Sequence, residues 1–123
     1  MTRINCVPPE ELSTKHLVAE YRELPRVFGL IRKAIARGES PSDRRNPRRY
    51  TLGTGHVRFF YNKVNWLAQR YTDLVREMDR RGYTANYRVP NIAGLPFTNE
   101  WNAVWTPDKE ALAINRQRIF ERS

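Results

Sequence analysis

The sequence predicts an all-α protein, a single compact domain of three main helices with a long irregular segment before the last. Two long stretches carry apolar residues at helical spacing, and a third opens on a strong helix-starting triplet. Nowhere do apolar and polar residues alternate as they would along a half-buried strand.

The first helix spans 15–36, KHLVAEYRELPRVFGLIRKAIA, where Leu17, Leu24, Phe28, Ile31 and Ile35 lie seven, four, three and four apart. That spacing places them on one face. Residues 7–13, VPPEELS, start extended on two prolines and lead into it, with Ser13 as the cap and the chain helical from Thr14. Gly38 closes it at the C′ position. Pro25 removes an N–H and crowds the Tyr21 carbonyl. We read one bent helix, with the bend beside Glu23.

On a wheel of about 100° per residue, His16 and Glu23 nearly superimpose, with Val27 and Leu30 between them and the apolar face. Arg22 and Arg26 lie on the side away from that face. A single carboxylate flanked by two arginines and a histidine therefore looks out from one side of the helix. The plain alternative is a solvated face stitched by i,i+4 pairs.

Residues 39–50, ESPSDRRNPRRY, form a loop rich in Pro, Ser and Arg. Its arginines 44, 45, 48 and 49 are either a phosphate-contacting patch or a solubility feature. Gly53 and Gly55 in LGTGH lack the preceding strand, third glycine and Lys-Ser/Thr pair of a phosphate loop, so they shape the entry to the second helix. That helix is expected over 56–81, where Val57, Phe60, Tyr61, Val64, Leu67, Ala68, Tyr71, Leu74, Val75 and Met78 keep a three–four repeat. Gly82 ends it. Phe59 and Trp66, just off the stripe, widen the face toward a third element.

Residues 83–105 have no period and carry Pro90, Gly94 and Pro96; we expect irregular backbone pinned by Tyr83, Tyr87, Phe97, Trp101 and Trp105. Thr106-Pro107-Asp108 supplies a cap, a proline and an early acid for a last helix over 107–121, burying Leu112 and Ile119. Arg118 and Arg122 share a face of it that could hold phosphates; a basic helix end favoured by the dipole is the alternative.

A chain of 123 residues makes one domain, 1–123, able to bury roughly two-thirds of its surface. A net charge of +9 and a pI near 10.3 point to a polyanionic partner, nucleic acid first and an acidic membrane surface second. No apolar run approaches roughly 18 residues and no charged start precedes an apolar core, so neither a membrane span nor a secretion signal is expected. The lone Cys6 cannot form an internal disulfide, which suits a reducing cytoplasm. Two histidines and one cysteine, far apart, leave no ligand set for zinc, and neither metal nor cofactor is expected.

MTRIN at 1–5, HLVAEYRELPRVFG at 16–29 and LGTGHVRFFYNK at 52–63 closely resemble the pyrimidine-dimer DNA glycosylase/AP lyase family, of the phage ultraviolet-repair endonuclease V type. The likeness covers most of the chain and is weakest over 38–50 and 83–105. It implies a partner, double-stranded DNA carrying cyclobutane pyrimidine dimers or abasic sites, and a monomeric enzyme of a bacterial or phage-infected cell. It also implies a nucleophile. The small Thr2 permits loss of Met1, and the freed α-amine, with a pKa of about 7.7–8.0, is partly neutral at physiological pH. By resemblance that amine attacks C1′ of the 5′ sugar and forms an imine, and β-elimination follows. Glu23 is the family's candidate for stabilising positive charge on the sugar and taking the C2′ proton.

Arg3, His16, Arg22 and Arg26 match family positions near the DNA backbone and active site, and Arg118 matches an arginine of the last helix. Arg122 stands where a relative has a lysine. Lys15 replaces an amide, adding a phosphate partner, and Thr54 replaces a small apolar residue. The chain ends at Ser123 without the aromatic-rich tail of the phage enzyme, which bears on dimer selectivity more than on lyase chemistry. The family extrudes the adenine opposite the lesion, so recognition would rest on deformability. Three other functions fit less of the sequence: a basic helical nucleic-acid binder without activity, an AP lyase without the glycosylase step, and a structural or partner-binding helical protein, which would not need a charge of +9.

Overall fold

A computed structural model describes residues 2–122. Among them are three α-helices, α1 (Thr14–Ala36), α2 (Val64–Arg80) and α3 (Lys109–Glu121), with short 3-10 turns at Pro9–Glu11, Arg58–Phe60 and Asn99–Trp101 and no strand. The predicted all-α class is the observed one.

The ends of α1 follow from its sequence. The Ser13 hydroxyl accepts the His16 N–H, satisfying one of the orphan donors of the first turn. At the other end Gly38 takes φ +82° and donates to the Ile35 carbonyl, while Glu39 donates to Ala34. That pair of reversed bonds needs a left-handed residue, which only glycine adopts without strain. Gly82 repeats the device after α2, with φ +86° and bonds to Asp79 and, from Tyr83, to Met78. Pro25 sits inside α1 without dividing it.

The core lies where α1 packs on α2. Leu17, Leu24, Phe28 and Ile31 of α1 and Leu67, Tyr71 and Leu74 of α2 are buried, joined by Phe59 and Phe60 from the preceding turn. Each fully buried large apolar side chain contributes roughly 1.5–3 kcal/mol. Trp105 closes one end, meeting Trp66 at 4.9 Å, Phe59 at 5.0 Å and Tyr50 at 6.1 Å between ring centroids. Phe59 and Trp66 thus do meet a further element, the end of the irregular segment.

The second helix starts at Val64, eight residues later than its apolar repeat predicts. Residues 56–63 wind instead through turns in which His56 donates to Gly53, Phe60 to Val57, Tyr61 to Arg58 and Lys63 to Phe60. Turns closed by i→i+3 bonds present apolar residues at nearly the same spacing as an α-helix, so the repeat cannot tell them apart. The break falls at Lys63, the N-cap of α2, whose φ of −133° and ψ of 47° are not helical. Its ammonium is buried, donating to the Phe59 carbonyl and the Asn62 side chain, each at 2.9 Å, and its backbone bridges to Asn102. Burial lowers its pKa to about 8.

Residues 83–105 are irregular, as expected, but pinned differently. Tyr83, Tyr87 and Phe97 are exposed; Ala85 and Leu95 are the buried residues, and Trp101 and Trp105 are half-buried. Polar bonds from the helices hold the backbone. Tyr21 and Tyr71 hydroxyls donate to the Tyr87 carbonyl at 3.2 and 2.5 Å, and Arg32 donates to the carbonyls of Asn91 and Ala93. A loop whose carbonyls are capped in this way leaves its own rings free to face water. The last helix begins at Lys109, capped by Asp108 rather than Thr106, and its fully buried residues are Ala111 and Asn115. Leu112 and Ile119 are only half-buried.

Candidate active site

The N-terminal segment is extended and has no neighbouring strand, so its backbone groups must find other partners. Side chains from the rest of the chain supply them. The Ile4 N–H donates to His56 Nε2 at 2.9 Å, and the Ile4 carbonyl accepts the Tyr50 hydroxyl at 2.9 Å. Asn115 Oδ1 accepts the N–H groups of Cys6 and Val7 at 2.7 and 3.1 Å, and Arg70 donates to the Val7 carbonyl at 2.6 Å. The Asn5 side chain joins α1 to α3, donating to Glu20 at 2.9 Å and accepting from Asn115 at 2.7 Å. Burial raises the pKa of the Cys6 thiol to about 12, which leaves it inert at neutral pH.

This scaffold sets Thr2 and Arg3 against α1. A cavity of about 400 Å³ is lined by Arg3, Asn5, Lys15, His16, Ala19, Glu20, Glu23 and Arg122. Residues 16, 19, 20 and 23 form one stripe of α1, and the helix turns that stripe toward this cavity. A second cavity of about 250 Å³ holds Thr2 and Arg3 against Leu30, Leu52, Gly53, His56 and Val57. Arg3 borders both.

The first cavity is crowded with positive charge. The Arg3 guanidinium is lowered by burial and then by Arg118 and Arg122, against smaller opposing effects of Tyr50 and Glu23. Burial, Lys15 and Arg3 likewise lower the His16 imidazole, whose buried Nε2 has no hydrogen-bond partner among the described residues. Cations held this close repel one another, and a phosphate entering between them relieves that repulsion.

Glu23 stands apart from the other acids. Of the carboxylates that are buried or half-buried, Glu20 pairs with Arg70, Glu39 with Arg37 and Arg58, Asp43 with Arg45, Asp73 with Gln69 and Arg76, and Glu77 with Arg80 and Arg81. Glu23 is half-buried and makes no direct ion pair or hydrogen bond among the described residues. A carboxylate kept from full solvation and left unpaired is available for chemistry.

Comparison with known families settles the chain's kinship: a model of pyrimidine dimer DNA glycosylases matches residues 1–91. The chain belongs to that family. Such glycosylases act on DNA containing pyrimidine dimers. The matched range holds Thr2, Arg3, Lys15, His16, Arg22, Glu23 and Arg26, whereas Arg118 and Arg122 lie beyond it.

In this glycosylase-family chain the expected site residues are only partly gathered. Arg3, Lys15, His16, Glu23 and Arg122 line one cavity, with Arg118 electrostatically close to Arg3 and 3.8 Å from Glu121. Thr2 lies in the adjoining cavity. Arg22 and Arg26 are exposed, and Arg22 lines a third cavity of about 450 Å³ with Tyr21, Pro25, Tyr71 and Tyr87. Pro25 thus shapes that third wall.

His56, Tyr50, Asn5, Glu20, Arg70 and Asn115, which hold the segment, were not singled out by the sequence. One signal was available. Glu20 and Arg70 fall on the core-facing stripes of two amphipathic helices, and opposite charges at such positions are tolerated only when paired. Among the described residues no His, Cys, Asp and Glu side chains cluster as a metal site would require, and no helix is long and apolar enough to cross a membrane.

Proposed function

We propose that this chain is a DNA glycosylase and AP lyase that works, as a monomer and a single domain, on cyclobutane pyrimidine dimers in the DNA of the cell that makes it. With Met1 removed, the Thr2 amine attacks C1′ of the 5′ nucleotide of the dimer. The C1′–N1 bond breaks, and the base leaves with the electron pair while remaining tethered through the cyclobutane ring. The attached nitrogen gives up a proton, and its lone pair then opens the sugar by breaking C1′–O4′ while O4′ takes up a proton, giving the protonated imine. Glu23 takes the C2′ proton, and C3′–O3′ breaks to expel the 3′ phosphate. An amine forms an imine without metal or cofactor.

The observation that carries this reading is Glu23, the one shielded carboxylate without a partner among the described residues, in a cavity that shares Arg3 with the cavity of Thr2. Its charge would stabilise the positive sugar and iminium, and its lone pairs would be free for the proton. Arg3, Lys15, Arg118 and Arg122 would hold the lesion's phosphates, and Arg22 and Arg26 those of the neighbouring backbone. The cavity at Tyr21, Pro25 and Tyr71, of about 450 Å³, has room and aromatic walls for an extruded adenine.

The test is borohydride trapping on a duplex with one defined thymine dimer, using protein whose N-terminus is verified as Thr2 beside a form retaining Met1. A cross-link that maps to Thr2 and vanishes with Met1 retained is expected. Trapping on an abasic site alone would demote the protein to a lyase. Failure on both would leave a basic DNA binder.

A further inference from the structure

His56 has no place in the chemistry above, yet it is buried and both its ring nitrogens are committed. The Ile4 N–H can only donate, so Nε2, at 2.9 Å, must carry a lone pair. The proton therefore sits on Nδ1, which donates to the Thr51 carbonyl at 2.7 Å. Only the neutral ring, in this one tautomer, makes both bonds.

We propose that His56 is a positioning residue for the reactive N-terminus: its neutral imidazole clamps Ile4 and so fixes Thr2, and protonation releases the clamp. A charged ring would point an N–H at the Ile4 N–H, two donors face to face with no acceptor between. The charged groups facing His56 are Arg3 of the N-terminal segment and Arg118 of α3. Tyr50 meets its ring edge-on at 5.5 Å, Phe60 does so at 5.7 Å, and α1 contributes only the apolar Leu30 to the shared cavity. No carboxylate faces the ring among the described residues to retain a second proton.

The lever arm is short. Two residues of extended chain reach at most about 7 Å, so the clamp lies within that distance of the Thr2 amine. Displacing a nucleophile by about 1 Å can cost about 100-fold in rate. The Tyr50 bond to the Ile4 carbonyl would survive His56 protonation, so the segment would loosen without leaving its groove.

The role in catalysis rests on the Thr2 reading, and the clamp itself does not. Two variants test them, His56→Gln and His56→Leu. A glutamine amide can accept from Ile4 and donate to Thr51 at every pH, whereas leucine can do neither. Ile4 amide hydrogen exchange and single-turnover trapping on abasic DNA would be followed from pH 5 to 8, with the His56 ring titrated by NMR. In the wild type, Ile4 protection, corrected for intrinsic exchange, should fall as the ring protonates. In His56→Gln it should stay level.

The trapping rate should fall about 100-fold in His56→Leu, with DNA affinity within about threefold. In His56→Gln the rate at pH 8 should remain within about fivefold of the wild type. The wild-type rate, already limited by one proton on the amine, should fall with the square of acidity below the His56 pKa; His56→Gln should keep first-power dependence throughout. Should His56→Leu not fold, that contrast decides alone. Ile4 protection indifferent to the ring's titration would overturn the clamp, and equal rates in all three proteins would overturn the positioning role. A clamp that behaves as described, in a wild type giving no imine at Thr2, would sink the nucleophile and leave His56 a structural residue.

Discussion

Arg70 of α2 holds Glu20 of α1 in a two-pronged grip, Nε to Oε2 at 2.7 Å and Nη2 to Oε1 at 3.0 Å, with side chains only 5% and 1% exposed. The remaining guanidinium nitrogen reaches the Val7 carbonyl, and Asn5 shares the same carboxylate. The pair therefore joins both long helices to the N-terminal segment. Removing one partner strands the other charge in the core. Arg70→Met should cost about 3–5 kcal/mol in urea unfolding. Glu20→Gln combined with Arg70→Met should recover much of that loss, because the amide still accepts from Asn5. A single variant as stable as the wild type would contradict the arrangement.

Glu23→Gln should behave in the opposite way. The side chain has no partner to lose among the described residues, so stability should move by less than about 0.5 kcal/mol. Single-turnover cleavage of abasic and dimer-containing duplexes should fall by about 10²–10⁴, with DNA affinity largely kept. Unchanged turnover would remove Glu23 from the reaction.

Binding to duplex DNA should weaken steeply with salt. Six phosphate contacts, by Arg3, Lys15, Arg22, Arg26, Arg118 and Arg122, would give a log–log slope of roughly −5. Lys15→Ala should lower the magnitude of that slope by about 1 and weaken damaged and undamaged DNA alike. A loss confined to damaged DNA would make Lys15 a lesion contact instead.

Acid should destabilise the fold before its carboxylates titrate. His16 is lowered from the ordinary 6.5 by burial, Lys15 and Arg3; His56 is lowered by burial, then Arg3 and Arg118, against an opposing contribution from the Thr51 bond. Below pH 6.5 the unfolded chain takes up protons that the folded chain refuses, so stability is complete above that pH and falls as pH drops toward the folded values. The urea midpoint should decline between pH 7 and 5, and His16→Gln and His56→Gln should each flatten part of the decline. A midpoint level across that range in the wild type would count against both shifts.

Much of this was legible in the sequence, because local rules act over a few residues. Ser13, Gly38 and Gly82 mark helix ends wherever they are met, and the seven-residue step from His16 to Glu23 fixes their shared face. The start of α2 was not legible, since a 3-10 turn and an α-helix leave the same apolar trace through Phe59, Phe60 and Val64. Exposure of Tyr87 and Phe97 was also hidden. Nothing local says that Tyr21 and Tyr71 will hold the loop by its carbonyl. His56 and Asn115 escaped for a related reason. Each is an ordinary polar residue until a segment 52 or more positions away is laid against it.

That separation has a consequence for the order of events at the ribosome. Ile4 waits for Tyr50 and His56, and Cys6 and Val7 wait for Asn115, whose side chain is made 109 and 108 residues later. At about 5–20 residues per second, Cys6 and Val7 lack that partner for roughly 5–20 s after they are made. On the Thr2 reading, the trimming that exposes the amine would therefore act on a loose end, before Asn115 of α3 is there to hold the segment.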